Sequence, residues 1–249
     1  MSSYVLCIFE GVKTEINITN NLIQHYLNDD GKDILRASFG FPIYKLYESI
    51  VADEFFDTYE LIVEELSKRT SLKSYEQEIL EIDSEKISDI YLFFDYDCHC
   101  SNASNDKLEE MLNVFDDPQD KGLLCISYPM VEAIKHQKST SFMQELHPID
   151  NQSLSSYKRW LNSNSELSTN YKNWGLYTLE TWNDLTRQHL ARANLLVNGS
   201  LDLPTEVFLQ KDIFDKQLEV HYPNNEIAVI SSFPLMLYNY YGKNIFNYI

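Results

Sequence analysis

The sequence predicts an α/β fold whose mostly parallel sheet is flanked by helices and followed by a mainly helical C-terminal region. Three observations carry the class. Two continuous apolar runs, Tyr4-Val5-Leu6-Cys7-Ile8-Phe9 and Ile90-Tyr91-Leu92-Phe93-Phe94, are each bounded by polar residues, as in parallel strands buried on both faces. Helical three-four spacing of apolar residues fills the chain between and after these runs. From Asn151 onward the chain is rich in Ser, Asn, Trp and Tyr and shows no strand periodicity until Ile227 to Ile230.

In chain order, the first run stops at Glu10-Gly11, and Thr14 is placed to cap a helix carrying Leu22, Ile23, Tyr26 and Leu27, which should end between Asn28 and Gly31. A second strand is expected over Ile34 to Phe39, stopped by Gly40 and Pro42. Helical spacing resumes at Ile43, Leu46, Tyr47 and Ile50 and continues at Tyr59, Ile62, Val63 and Leu66. This acidic double helix, about residues 43–70, reads as an insertion or flanking layer whose acids (Asp53, Glu54, Asp57, Glu60, Glu64, Glu65) are solvated. A short strand is expected around Glu78 to Ile82, ahead of the second apolar run. A polar turn over Cys98 to Asn105 leads into a helix with Leu108, Met111, Leu112 and Phe115 on one face. Leu123-Leu124-Cys125-Ile126 reads as another buried strand, and Pro129 as the first position of a helix through Val131, Glu132, Ile134 and Lys135. Strand-helix alternation of this kind argues for a mostly parallel sheet, with a domain over residues 1–148 and a second region over 149–249.

Composition narrows the function classes. With no apolar stretch near twenty residues and no charged-then-apolar leader, the expectation is a cytoplasmic chain without membrane insertion. Four cysteines, Cys7, Cys98, Cys100 and Cys125, lie in or beside predicted strands, which favours reduced thiols over disulfides. Seven glycines leave no glycine-rich phosphate loop, so an ATP-hydrolysing engine would be another chain. The net charge of −18 is uneven: residues 151–249 hold eight Lys/Arg against nine Asp/Glu, so 12 of the 20 basic and 29 of the 38 acidic residues fall in the first 150. So acidic a surface repels phosphate backbones and should not coat DNA by itself. The near-neutral C-terminal third, with Lys158-Arg159-Trp160, Tyr171-Lys172, Trp174, Arg187 and Arg192, is the better candidate contact surface, and ordinary helix surface and core is the competing reading.

The acids that close the two apolar runs suggest chemistry. In doubly wound sheets the carboxyl ends of the strands share one rim, and ligands bind outside it. Asp95 and Asp97, at i and i+2, project to the same side if the extended conformation persists through Tyr96. Magnesium takes hard oxygen ligands and is held by one or two carboxylates plus substrate phosphate; Glu10, delivered from a neighbouring strand, could add a ligand or serve as general acid/base. The competing readings are a helix N-terminal acid for Glu10 and an acidic strand-end turn for Asp95 and Asp97.

The segment Cys7-Ile8-Phe9-Glu10-Gly11-Val12-Lys13-Thr14-Glu15, with Leu92-Phe93-Phe94-Asp95-Tyr96-Asp97 some eighty residues later, resembles the TOPRIM family, which places a glutamate after its first strand and an Asp-x-Asp pair after a later one. The resemblance covers roughly residues 1–140. The Glu-Gly-x-Lys-Thr-Glu form and Tyr128-Pro129-Met130-Val131-Glu132 look most like small phage-defence TOPRIM nucleases, the OLD-like and PARIS-type abortive-infection effectors. The resemblance implies a Mg²⁺-dependent (or Mn²⁺-dependent) phosphoryl-transfer site, with Glu10 as acid/base, Asp95 and Asp97 as metal ligands and Glu132 as a further acid of the cluster. It also implies a toxin or effector of antiviral defence, held off by a partner ATPase and active as a homodimer.

Further candidates are weaker as patterns. Glu132 in a first helical turn is equally a dipole partner, and Glu15 reads as a first-turn helix acid. Lys13 could hold a substrate phosphate or be an exposed loop lysine. Cys98-His99-Cys100 is spaced too tightly for ordinary zinc chelation and no second Cys/His pair answers it, though His99 could touch substrate. Lys135 and His136 are expected at the surface, where they could neutralise phosphate charge. The remaining histidines have no serine or cysteine partner at a recognisable spacing, so nucleophilic-triad chemistry is unsupported. The leading expectation is a nuclease acting on RNA, such as tRNA, slightly ahead of DNA, because folded RNA can be held by a few aromatic and Arg contacts. The alternative is a non-catalytic module that docks on an ATPase or binds a nucleotide.

Overall fold

The computed structural model describes residues 3–27, 32–40, 43–52, 55–96, 103–138 and 143–247. Asp97, Cys98, His99 and Cys100, the expected helix end over Asn28 to Gly31, and Asp53 and Glu54 lie outside the described residues. The chain divides into two compact units, one of residues 1–94 and 102–124, the other of 95–101 and 125–249.

The elements of the first part follow in the order β1 (Tyr4–Phe9), α1 (Thr14–Ile23), β2 (Asp33–Ser38), α2 (Ile43–Ala52), α3 (Thr58–Ser67), α4 (Ser74–Ile79), β3 (Ile87–Asp95), α5 (Asn105–Val114), β4 (Asp116–Asp117) and β5 (Gly122–Ser127). The five strands form one sheet in the order β2-β1-β3-β5-β4. β1 runs parallel to β2 and to β3, with Phe9 opposite Ser38 on one side and Phe93 on the other. The two-residue β4 is antiparallel to β5, an edge too short to leave a pattern in the sequence. Both apolar runs are central strands, and Leu6, Ile8, Phe9, Leu92 and Phe93 are buried. Phe9 and Phe93 pack with their rings tilted by 31° and centroids 5.2 Å apart. Gly122, at φ +111°, is needed where β5 begins, because a Cβ there would lie 2.7 Å from Leu92 Cδ1.

Two local expectations are corrected in this unit. Thr14 is the first residue of α1 rather than its cap; Lys13 holds the cap position and supplies no side-chain hydrogen bond. The strand expected at Glu78 to Ile82 is instead the end of α4 and a turn. Buried Glu76 is the reason: its carboxylate accepts from the Lys73 amide at 3.1 Å and from Arg69 Nη1 at 2.9 Å, closing the first turn of α4. The Tyr59 hydroxyl then shares its one hydrogen between the Ile79 and Ile82 carbonyls, at 2.6 and 2.5 Å, engaging acceptors that a strand would have offered to a neighbour. In α3, Asp57 accepts from the Glu60 amide at 2.9 Å and so caps the helix. Glu60 and Glu64 are exposed, as the solvated-acid reading requires.

In the second unit, Tyr128-Pro129 is a cis peptide and a 3-10 turn over Val131–Lys135 replaces the longer helix expected from Pro129. There follow β6 (Leu146–Pro148), α6 (Asn151–Ser163), α7 (Leu179–Asn198), α8 (Gln210–Lys216), a π-helical turn (Gln217–His221), β7 (Glu226–Ala228) and α9 (Ser232–Tyr241). The region is mainly helical, with β6 and β7 paired antiparallel and Tyr128 bridged to Ile230. Asp150 caps α6 through the Gln152 and Ser153 amides, both at 3.0 Å, while α7 runs from its Thr178 cap to a left-handed Gly199. The Gln217 side chain exchanges two hydrogen bonds with the Ala228 main chain, at 2.8 and 2.9 Å, and so satisfies that residue's amide and carbonyl. Cys7 and Cys125 are buried, and no helix among the described residues is long and apolar enough to cross a membrane.

Candidate functional site

Glu10 follows β1 directly, half-buried, with its backbone fixed on both sides. Its amide donates to the Phe93 carbonyl at 3.0 Å and its carbonyl accepts from the Gly40 amide at 3.1 Å. The Glu15 carboxylate lies against Gly11: a Cβ there would sit 2.5 Å from Glu15 Oε2 and would displace that side chain. Glu15, read from sequence as a plain first-turn acid, is therefore a buried carboxylate folded back over the Glu10-Gly11 turn. The only sequence signal for it is the five-residue spacing from Glu10. Lys13 is exposed, and its carbonyl accepts the Asn17 amide that begins the α1 hydrogen bonding.

Asp95 is the last residue of β3 and half-buried. Its Oδ1 accepts from the Val131 amide at 2.7 Å, the bond a carboxylate makes to an unsatisfied donor in the first turn of a helix. Tyr96, the first residue past β3, donates its amide to Ser127 O at 3.0 Å and buries its ring against Tyr128 and Phe214. Asp97 and His99 lie outside the described residues.

The Asp95-Val131 bond brings Asp95 to the start of the turn that carries Glu132. Glu132 is only 5% exposed. Its Oε1 pairs with Lys158 Nζ from α6 at 2.9 Å, and its Oε2 is buried without a hydrogen-bond partner. Three residues on, and so eclipsed with Glu132 in a 3-10 turn, Lys135 is half-buried with its Nζ 3.6 Å from the centroid of the Trp174 ring. Burial pushes its pKa down; the Glu132 charge works against that and the Lys158 charge with it.

Two surface expectations fail here. His136 is 1% exposed, its Nδ1 3.0 Å from the Tyr157 hydroxyl and its Nε2 3.6 Å from Glu145 Oε2. Burial lowers its pKa despite Glu145. Arg192 is 2% exposed and cannot serve as a contact residue. It donates to Gln137 Oε1 (2.6 Å), Met143 O (3.0 Å) and His136 O (3.3 Å), tying the chain after the 3-10 turn to α7. Tyr171 is likewise buried, whereas Lys158, Arg159 and Arg187 are exposed. Sequence reading did not connect this group with Glu145 and His147. Glu145 pairs with Lys138 Nζ at 3.3 Å, and the His147 ring lies 4.4 Å from that of Tyr157. Burial lowers the His147 pKa to about 4. No repeated spacing links positions 136, 145, 147, 157 and 192, so no periodic signal could have found the group.

Among the described residues no set of three or more His, Cys, Asp or Glu side chains is arranged to hold a metal ion. The acids themselves offer only hard oxygen donors, as Mg²⁺ or Mn²⁺ prefers, and Glu132 Oε2 is an orphaned buried acceptor of that kind. Comparison with protein-family models, with curated proteins and with solved structures gave no match.

Proposed function

We propose that the chain is a Mg²⁺- or Mn²⁺-dependent nuclease that acts as an effector of bacterial antiphage defence, cleaving phosphodiesters of RNA, such as tRNA, slightly in preference to DNA. The observation that carries the reading is the Asp95 carboxylate on the Val131 amide, which sets Asp95 beside the turn of Glu132, whose second oxygen is buried and unbonded. In this reading Asp95, Asp97 and Glu132 hold the cation, and Glu10, positioned by its amide on Phe93, moves the proton of the attacking or leaving oxygen. A bound Mg²⁺ supplies Lewis-acid stabilisation of the phosphoryl oxygens. The acidic charge argues for a compact substrate or a guiding partner; a partner ATPase and a homodimer belong to the same proposal.

Incubation of the wild type with total tRNA and with plasmid DNA, in Mg²⁺ or Mn²⁺ and with neighbouring gene products present, tests this. Cleavage is expected, and Glu10→Ala or Asp95→Asn should reduce it at least about a hundredfold, the scale of losing an acid/base group. The asparagine keeps an acceptor for Val131 and removes only the charge. Absence of cleavage under every partner condition, with cellular toxicity unaltered by either substitution, would leave the second reading: a non-catalytic module docking on an ATPase or binding a nucleotide. That reading draws on the structural partners Asp95 and Glu132 already have in Val131 and Lys158.

A further inference from the structure

Four rings of the second unit pack as one group around a buried hydroxyl. Tyr157 of α6 is fully buried. Its ring centroid lies 4.4 Å from that of His147, 5.9 Å from that of His136 and 6.1 Å from that of Trp160, the last nearly parallel at 14°. Trp160, one turn further along the same helix, is only partly buried, so the group runs from the surface to the interior. The Tyr157 oxygen is 3.0 Å from His136 Nδ1, and His136 Nε2 is 3.6 Å from Glu145 Oε2. An ionised carboxylate only accepts, so Glu145 favours the imidazole proton on Nε2 and leaves the Nδ1 lone pair to the Tyr157 hydroxyl. Burial works against the Glu145 charge, but His136, Arg192 and Lys138 outweigh it and lower the pKa. Burial raises the Tyr157 pKa well above its ordinary value, so the phenol keeps its proton at rest. Removing an electron alone from this phenol would leave an unpaired positive charge in the interior, which burial penalises. A proton acceptor in contact changes that: the charge passes to His136, where Glu145 favours it and Arg192 and Lys138 oppose it. Tyr177 and Trp182 make the contrasting pair, with ring centroids 5.5 Å apart. The Tyr177 hydroxyl donates to the Tyr171 carbonyl at 2.5 Å, an oxygen that takes no proton.

We propose that Trp160, Tyr157 and His136 form a radical sink, a path that carries a one-electron oxidising equivalent from the surface to Tyr157. A one-electron oxidant takes an electron from the Trp160 indole. The indole radical cation then takes an electron from Tyr157 while the phenolic O–H bond breaks and its proton forms an N–H bond at His136 Nδ1. The products are a restored Trp160, a neutral Tyr157 phenoxyl radical and a His136 imidazolium facing Glu145. A one-electron reductant such as ascorbate returns the electron, and the proton goes back from Nδ1 to the phenol oxygen. This activity goes beyond the nuclease reading and does not depend on it.

Flash photolysis of the whole chain with a light-generated ruthenium(III) polypyridyl oxidant reads each step by transient absorption and electron paramagnetic resonance. In the wild type a phenoxyl signal should grow as the indole radical decays, more slowly in heavy water because a proton moves with the electron, and ascorbate should abolish it. Tyr157→Phe, which removes only the hydroxyl, should lose that signal and prolong the indole radical. His136→Gln should do the same with Tyr157 still present, since an amide takes no proton. Trp160→Phe should lose the growth phase, and Tyr177→Phe should retain it. Absence of a phenoxyl signal in the wild type, the same signal in Tyr157→Phe, or equal losses in Tyr157→Phe and Tyr177→Phe overturns the proposal. The wild type and Tyr157→Phe decide the question even if His136→Gln fails to fold.

Discussion

The two units solve the same problem, excluding water from a core, with different materials. In the unit built on β1 to β3 the interior is mostly aliphatic and aromatic, and its buried acids are few, Glu15, Glu76 and Asp89, with Glu76 closing a helix turn and Asp89 pairing with Lys32 at 2.6 Å. In the helical unit the interior holds Glu132, His136, Gln137, Glu145, His147, His189 and Arg192 as well as apolar side chains. A buried network of this kind is bound by hydrogen bonds that fail together when one member is removed, whereas an aliphatic core loses stability by increments. The helical unit should therefore be the more sensitive to changes of charge, and the sheet unit the more tolerant.

The largest expected effect that would break this comparison is on Arg192. Arg192→Leu strands the acceptors on Gln137, His136 and Met143 and should cost about 3–5 kcal/mol, the scale for removing one partner of a buried charged group. Urea denaturation followed by tryptophan emission measures it directly, because Trp160, Trp174 and Trp182 all lie in the helical unit. A loss well under 1 kcal/mol, the scale of an exposed ion pair, would mean the network is no more than ordinary packing.

Acid sharpens the contrast next. Burial holds the pKa of His136, His147 and His189 below the ordinary histidine value of 6.5, that of His147 at about 4. These rings stay neutral in the fold while the unfolded chain takes up protons near 6.5, so the unfolded state binds more protons as the pH drops. Stability from this source is complete above 6.5 and is lost as the pH falls toward 4. Lowering the pH from neutrality to about 5 should reduce the Tm seen by tryptophan emission, and His147→Gln should flatten that dependence. A Tm independent of pH over this range would remove the buried-histidine account.

The smallest effect tests the sheet unit. Asp57→Ala removes the α3 cap and should cost about 1 kcal/mol, read by far-UV circular dichroism in urea. A cost as large as that at Arg192 would erase the proposed difference between the units.

What was legible in the sequence divides along the same line. Continuous apolar runs placed β1, β3 and β5, as strands buried on both faces leave them, Gly40 and Pro42 bounded β2, and three-four spacing placed the helices α1, α2, α3 and α5. The Glu78–Ile82 strand failed because buried Glu76 and the Tyr59 hydroxyl act from outside the local pattern. At the candidate site, the local sequence located Glu10 and Asp95 at strand ends. It could not show that Asp95 holds the turn of Glu132, or that Glu132 chooses Lys158 over its neighbour Lys135.

The sequence by itself determined where the chain turns regular: the two apolar runs and the helical spacing follow from backbone geometry that each segment carries alone. Tertiary structure alone decided the charge arrangement. Whether Lys135 meets a carboxylate or an indole, and whether His136 and Arg192 meet water or protein, depends on residues tens of positions away, because burial and Coulomb energies are set by neighbours in space rather than along the chain.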